Sequence, residues 1–255
     1  MTEGPTFLHL PARMSKPRTR GITHILDKGL PLAATEDLLA QVAHLIDIVK
    51  IGWGIGYIDP ILAQRVSAYA EAGVPVCLGG TLTEIVAHQD QIEPFRDWAQ
   101  ALGVTHLEVS NGLQALTDDR KLGLIKDLAA DFVVLAETGS KDGSYPTKPE
   151  EWVEEMARDL DAGAQFVVAE GRESGTVGLY HADQAVHEEI VSEILTQIPQ
   201  DRIIFEAPVK AQQSWFIKTL GAEVNLGNIE PSSVLSLESL RLGLRADTAA
   251  VGPPA

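Results

Sequence analysis

Acidic and basic side chains recur at the ends of apolar, β-forming runs of this sequence. Ten of them stand out: Asp27, Glu108, Glu137, Glu170 and Glu206, with Lys28, Lys50, Lys141, Arg172 and Lys210. Carboxylate oxygens are ligands of hard divalent cations, of which Mg2+ is the default. Lysine and arginine bind phosphate, sulfonate or carboxylate groups, arginine through two parallel hydrogen bonds. The pattern predicts a metal-assisted reaction on a small, anionic substrate.

Three other interpretations bear on the same residues. Zinc is disfavoured, because the histidines lie within predicted strands, helices or loops rather than at the strand ends. A desolvated lysine, Lys50 or Lys141, could instead form a Schiff base with a carbonyl substrate and would need no metal. A purely structural ion-pair network is the third interpretation. We rank it below a site because so many buried charges are costly to desolvate.

The elements that must position these residues alternate between strand and helix patterns. Strands are predicted at 22–26, 46–52, 74–78, 105–110, 131–137, 165–170, 202–207 and 223–227. Helical patterns follow them, for example at 35–46, 59–73, 93–103 and 148–163. Such alternation predicts right-handed βαβ units and a parallel sheet. Eight units in 255 residues favour a single (β/α)8 TIM barrel of the α/β class over an open doubly wound sheet.

In a TIM barrel the C-terminal ends of the strands meet on one face, where the active sites of this architecture lie. The charged residues are therefore expected to converge. The NLGNI turn after the last strand lies where many barrels bind phosphate through backbone N–H groups. The predicted organisation is an N-terminal arm at 1–20, the barrel at 21–248 and a flexible tail at 249–255.

Composition limits the partners and the location of the protein. A net charge of −16 argues against a nucleic-acid partner, which would require a basic surface. No segment approaches the roughly 20 apolar residues that cross a bilayer, and the first residues do not resemble a signal peptide. The lone Cys77, in the run VPVCL, is expected to be a small buried hydrophobic residue. A cytoplasmic protein is predicted, and a homo-oligomer is left open.

Nine blocks of the sequence resemble the phosphosulfolactate synthase family, in the order of that family. They are GITHILDKGL, IDIVKIGWG, GGTLTE, LEVSNG, ETGSKD, EGRESGTVGLY, FEAPVKAQQSWFI, VNLGNI and ESLRLGLRADT, and they span about Lys16 to Thr248. The resemblance implies a (β/α)8 barrel and a Mg2+-dependent carbon–sulfur lyase working in the synthetic direction. Sulfite would add to phosphoenolpyruvate to give (R)-2-phospho-3-sulfolactate, a step of coenzyme M biosynthesis in methanogens and of sulfolactate formation in some bacteria.

The resemblance also implies roles for individual residues. Lys141 would protonate C2 of a metal-stabilised enediolate. The other assignments are Lys50 and Arg172 to catalysis, Lys28, Lys210, Gly227, Asn228 and Arg245 to substrate binding, and Glu137, Glu170 and Glu206 to Mg2+.

The sequence departs from the family pattern at three positions. Asn111 replaces a usual acidic residue, Ser140 stands where a second lysine is common, and Ala246 replaces a glycine. The first two changes could alter metal binding or substrate choice. The alternatives left open are addition of another small nucleophile, such as phosphite, to phosphoenolpyruvate, and a non-catalytic, stress-related homologue. Retention of the strand-end carboxylates and Lys141 favours catalysis.

Overall fold

The computed structural model describes residues 7–139, 148–172 and 174–249. Eight parallel strands form a closed barrel, in which each strand pairs with the next along the chain and the last pairs with the first. The strands are β1 (Thr23–Asp27), β2 (Ile48–Ile51), β3 (Val76–Leu78), β4 (His106–Val109), β5 (Val133–Thr138), β6 (Phe166–Ala169), β7 (Ile203–Glu206) and β8 (Leu226–Ile229). The predicted TIM barrel is confirmed.

Helices follow every strand and surround the barrel. They are α1 (Leu32–Val42), α2 (Ile55–Ile58), α3 (Leu62–Glu71), α4 (Gly80–His88), α5 (Ile92–Ala101), α6 (Asp118–Leu128), α7 (Pro149–Ala162), α8 (Glu188–Gln197), α9 (Lys210–Leu220) and α10 (Val234–Arg241). Two helices follow β2 and two follow β3. The sequence patterns did not predict α4, which begins directly after β3.

Local sequence signals determine where helix α7 begins and ends. Proline occupies its first position, where the missing N–H costs nothing, and Glu150 and Glu151 lie in the first turn, at the positive end of the helix dipole. Gly163 ends the helix with φ of 117°, a left-handed conformation that glycine adopts without strain. The predicted helix at 148–163 is therefore found almost unchanged.

Strand β8 lies about two to three residues later than the predicted run at 223–227. The side chain of Asn225 explains the difference. Its Oδ1 accepts a hydrogen bond from the Ile22 N–H at 2.9 Å, and its Nδ2 donates to the Ile203 carbonyl at 3.0 Å. An amide side chain thus bridges the two neighbouring segments just before regular pairing begins.

The barrel interior consists of an apolar layer below a charged one. The buried apolar cluster inside it contains Ile22, Ile48, Cys77, Leu135, Phe166, Val168 and Ile204. Successive strand side chains alternate between faces, so residues two positions apart point into the same space. Along four strands, a charged residue follows an apolar interior residue by two positions: Lys50 follows Ile48, Glu137 follows Leu135, Glu170 follows Val168, and Glu206 follows Ile204. Cys77 is buried, as predicted.

The segment before β1 is attached to the opposite end of the barrel. Arg13 pairs with Glu223, just before β8, and Arg18 pairs with Asp47, just before β2, at 3.1 Å. Lys16 donates a hydrogen bond to the Gly73 carbonyl at 3.0 Å. These contacts hold Arg13, Lys16 and Arg18 away from the charged end of the barrel. The predicted domain boundaries at 20 and 248 stay predictions.

None of the helices formed by the described residues has both the length and the apolar character needed to cross a membrane.

Candidate active site

A pocket of about 450 Å³ opens at the C-terminal end of the barrel. Six of the predicted site residues line it: Lys50, Glu137, Glu170, Arg172, Glu206 and Asn228. Glu108, another of the strand-end carboxylates, lines it too, together with Leu26, Gly52, Trp53, Gly79, Gly80, Thr81 and Ser174. The strands therefore bring together residues from Leu26 to Asn228, which are 202 positions apart in the sequence.

Lys50 lies at the centre of the carboxylates. Its Nζ is 2.8 Å from Oε1 of Glu206, 3.0 Å from Oε2 of Glu108 and 3.9 Å from Oε2 of Glu137. The second oxygen of Glu108 accepts the Gly80 N–H at 2.8 Å, and that of Glu206 accepts the Gly171 N–H at 3.0 Å. Glu108 and Glu206 are thus each held by a backbone donor and by the same ammonium group.

The protonation state of Lys50 follows from these contacts. Burial by itself would lower its pKa, but Glu108, Glu206 and Glu137 together raise it well above the usual value. Burial also raises the pKa of Glu206, against the opposing effect of Lys50. Lys50 is therefore a buried ammonium ion. A Schiff-base lysine must be neutral to attack a carbonyl, so this geometry disfavours that chemistry at Lys50.

Three carboxylates of the pocket offer oxygen ligands of the kind that a hard divalent cation takes, beside the Lys50 ammonium that they already contact. Glu108, Glu137 and Glu206 each offer an oxygen, and the three oxygens lie within 4.8 Å of one another. Carboxylate oxygens are the usual protein ligands of Mg2+. The described residues that line the pocket also carry two more negative than positive charges, because four carboxylates face only Lys50 and Arg172. Anionic substrates would add to that excess unless a cation joined them.

Comparison with known proteins places the chain in a family. The family model described as (2R)-phospho-3-sulfolactate synthase matches residues 11–247. The chain belongs to this family. It is 39% identical over 244 residues to phosphosulfolactate synthase of Bacillus subtilis (strain 168), covering 94% of this chain and 97% of that protein.

A second relative agrees with this placement, and a solved structure agrees with the barrel fold. Phosphosulfolactate synthase of Methanothermobacter thermautotrophicus is 39% identical over 245 residues, covering 93% of this chain and 95% of that protein. The crystal structure of a 3-hexulose-6-phosphate synthase superposes with a TM-score of 0.55 at 15% identity, covering 85% of this chain and 98% of that one. At 15% identity, the likeness to the solved structure concerns the fold alone.

Asp27, one of the strand-end carboxylates, does not belong to the pocket. Its Oδ2 accepts hydrogen bonds from Tyr69 at 3.0 Å and from Arg65 at 3.2 Å, both on α3. Its Oδ1 accepts the N–H groups of Gly29 and Leu30, each at 2.8 Å. Asp27 follows Leu26, which faces the interior, so its own side chain points outward to the helices. The structure therefore does not bring Asp27 together with the carboxylates of the pocket.

Three other predicted cations, Lys28, Lys210 and Arg245, lie at the rim or outside the pocket lining. Lys28 pairs with Glu230 at 3.1 Å, and its Nζ lies 5.4 Å from the ring centroid of Trp53, a pocket residue. Lys210, at the start of α9, pairs with Asp247 at 3.0 Å, and Arg245 approaches the same carboxylate at 3.9 Å. Their assignment to the substrate stays a prediction.

The two predicted residues of the NLGNI turn have different surroundings. Gly227 is buried inside the barrel, where a Cβ atom would come within 3.1 Å of the His24 ring and 2.9 Å of Ile204. Asn228 lines the pocket in a left-handed conformation, with φ of 53°. Its Oδ1 has no hydrogen-bond partner among the described residues. Asn228 thus belongs to the pocket lining and carries a buried acceptor without a partner among the described residues, whereas Gly227 provides space for a neighbouring ring.

Glu84, on the unpredicted helix α4, is a functional candidate that was not among the predicted site residues. It is fully buried and accepts hydrogen bonds from Ser110 Oγ and from the N–H groups of Gly112 at 3.1 Å and Leu113 at 2.8 Å. It therefore fixes the loop that follows β4. Its place in the GGTLTE block was the available signal.

The three departures from the family pattern are only partly described. Asn111 bridges its own loop, because its side chain both donates to and accepts from the backbone of Leu116, at 2.9 and 3.0 Å. Ala246 lies in the turn between Arg245 and Asp247. Ser140 lies outside the described residues, as does Lys141, the predicted general acid. The role of Lys141 stays a prediction.

Proposed function

We propose that this protein is a phosphosulfolactate synthase that adds sulfite to C3 of phosphoenolpyruvate, in a Mg2+-dependent reaction giving (R)-2-phospho-3-sulfolactate. Family membership and 39% identity over nearly the whole length of two such synthases support the activity. The structural observation that carries the proposal is the Lys50 ammonium, held between Glu108 and Glu206 in a pocket that also contains Arg172. Such an enzyme is a carbon–sulfur lyase acting in the synthetic direction.

Binding of phosphoenolpyruvate requires positive charge, since the substrate carries both a carboxylate and a phosphate group. The net charge of −16 repels such a molecule at long range, so the attraction must come from the pocket itself. Lys50 provides a buried charge at the strand ends, and the exposed Arg172 provides a guanidinium that can hold two oxygens at once. Asn228 adds a polar side chain to the pocket lining.

The proposed reaction forms one bond and moves one proton. The sulfur lone pair of sulfite attacks C3, and the C2–C3 π electrons move onto the substrate carboxylate, giving an enediolate. Transfer of a proton to C2 then restores the carboxylate, and no group leaves. The developing negative charge on the carboxylate is the step that needs electrostatic stabilisation from prearranged charges.

The chain's residues would divide this work as follows. Lys50, already ammonium and desolvated, stabilises the enediolate without having to be protonated during the reaction. Glu137, Glu170 and Glu206, with Glu108 beside them, would hold Mg2+, which supplies Lewis acidity towards the substrate carboxylate. Lys141, on the segment after β5, is the proposed donor of the C2 proton.

The test is a direct assay by 31P NMR with phosphoenolpyruvate, sulfite and Mg2+. A new phosphorus signal that requires sulfite, disappears with EDTA and is absent in Lys141→Ala is the expected result. Lys126→Ala, an exposed lysine on α6, is the matched control and retains full activity. Failure to turn over sulfite across a range of pH and salt contradicts the proposal, and turnover with phosphite instead would reassign the nucleophile.

A further inference from the structure

Outside the pocket, the connection from β6 to α8 brings two histidines and a glutamate together. The ring centroids of His181 and His187 are 3.5 Å apart, and Nδ1 of His187 lies 2.9 Å from Oε1 of Glu189. Each of the three residues offers one ligand atom, and these atoms all lie within 4.8 Å of one another. The role of this trio is not explained by the proposed reaction.

The backbone holds the two histidines in this arrangement. An antiparallel bridge joins Tyr180 to Val186, so His181 and His187 stand one residue beyond the paired positions on the two arms of a small hairpin. The His181 N–H donates to the Ala185 carbonyl at 2.9 Å, and the His187 N–H donates to the Leu179 carbonyl at 2.8 Å. Glu189 lies in the first turn of α8, which begins directly after His187. The backbone of the hairpin and of the helix start therefore places the three residues side by side before any ligand arrives.

We propose that His181, His187 and Glu189 form a binding site for a divalent transition metal ion of the Zn2+ type. Two imidazoles and one carboxylate are the ligand set that protein sites use for zinc with one coordination position left to water. Hard cations such as Mg2+ prefer all-oxygen sites, so this trio and the carboxylates of the pocket select different metals. The strongly acidic chain also attracts cations to its surface.

An ion at this site would brace the loop that carries part of the pocket. The Leu179 N–H donates to the Glu170 carbonyl at 2.9 Å, and the Tyr180 hydroxyl donates to the Glu206 carbonyl. The same connection contributes Arg172 and Ser174 to the pocket lining. Joining the hairpin to α8 through a metal would therefore restrict motion of this loop and stabilise the folded chain by linkage.

The test measures metal binding by the purified, untagged protein and does not depend on the synthase activity. Calorimetric titration with Zn2+ is expected to show one equivalent bound, and Co2+ to give the visible absorption of a site with nitrogen ligands. His181→Ala and His187→Ala are expected to weaken Zn2+ binding by about tenfold or more, since even residues that only orient a ligand are worth about 10–100-fold. Glu189→Gln is also expected to weaken Zn2+ binding.

His44→Ala, an exposed histidine near the opposite end of the barrel, is the control and binds Zn2+ as the unaltered protein does. Zn2+ is also expected to raise the Tm of the unaltered protein but not that of His187→Ala, whose fold is checked by circular dichroism. Equal Zn2+ affinity in His187→Ala and the unaltered protein overturns the proposal, because the ion then binds elsewhere, for instance at the pocket carboxylates. The absence of any Zn2+ binding overturns it too.

Discussion

Lys50 Nζ and Glu206 Oε1 lie 2.8 Å apart, and both side chains are almost completely buried at the bottom of the pocket. Neither charge could stay in this environment alone, because desolvation costs several kcal/mol per ion. Glu108, on the far side of Lys50, makes the ammonium the shared partner of two carboxylates. The cluster is therefore a unit whose charge balance depends on one lysine.

Removing that lysine is expected to destabilise the fold as well as abolish activity. Lys50→Met leaves Glu108 and Glu206 buried without their cation, and breaking a buried ion pair in this way typically costs about 3–5 kcal/mol of unfolding free energy. Urea denaturation monitored by circular dichroism measures the loss. The double variant Lys50→Met/Glu206→Gln should recover part of it, since one of the stranded charges is gone.

The matched control is an exposed ion pair of the same length. Arg158 pairs with Asp118 at 2.9 Å, and the two side chains are 48% and 69% exposed. Solvent screening limits such pairs to about 0–1 kcal/mol, so Arg158→Ala should change stability little. If Lys50→Met were no more destabilising than Arg158→Ala, the buried cluster would have no special dependence on Lys50.

His106 is expected to make the folded protein less stable in mild acid. Burial lowers its pKa from the ordinary value of 6.5 to about 4, so the unfolded chain binds a proton more readily than the folded one. The contribution of neutral His106 to the free energy of unfolding is complete above pH 6.5 and is lost as the pH falls towards 4. His106→Gln cannot take up this proton. Between pH 7 and pH 4.5 the free energy of unfolding, measured with urea, should therefore fall by about 2 kcal/mol less in His106→Gln than in the unaltered protein.

A histidine on the surface separates this effect from general acid sensitivity. His44 is exposed, and His44→Gln should keep the full pH dependence of the unaltered protein. An unchanged pH dependence in His106→Gln would show that other groups, such as the buried carboxylates, cause the acid instability.

Most strands were predictable because barrel strands are buried on both faces and appear as continuous apolar runs. Strand β8 begins later than predicted, at a point where the side chain of Asn225 also bonds to both neighbouring segments, a feature that hydropathy does not detect. Helix α4 was missed since its first residues, from Gly80 to Thr83, have the composition of a turn. In both elements, tertiary contacts rather than the local sequence pattern determined the observed structure.

The same reasoning explains which site residues were found. Lys50, Glu137, Glu170 and Glu206 lie at inward-facing strand positions, so the closure of the barrel necessarily brings them together. Asp27 lies at an outward-facing position, a distinction that strand alternation could have made. Lys210 begins α9 and Arg245 lies after α10, so strand alternation does not indicate the direction of either side chain.

Gly171 is expected to be required for the geometry of the Glu206 carboxylate. Its N–H donates to Glu206, and a Cβ atom there would overlap the Tyr180 ring and lie 2.7 Å from the Glu206 carbonyl oxygen. Gly171→Ala should therefore lower both the Tm and kcat. Gly123→Ala, inside α6 where a Cβ meets no atom within 4 Å, should instead stabilise the protein by about 0.5–1 kcal/mol. A Gly171→Ala variant with unchanged Tm and kcat would contradict the close packing seen here.

Asn228 allows the binding and folding roles of one residue to be separated. Its φ of 53° favours glycine, so Asn228→Gly should keep the stability of the protein, whereas Asn228→Ala should lose about 1 kcal/mol of it. Both variants remove the pocket-lining amide. If that amide binds phosphoenolpyruvate, both should raise KM by about threefold to tenfold, the usual worth of one hydrogen bond, and leave kcat nearly unchanged. Steady-state kinetics with each substrate varied in turn measures this. A KM that rises only in Asn228→Ala would assign Asn228 to the backbone conformation of the turn rather than to the substrate.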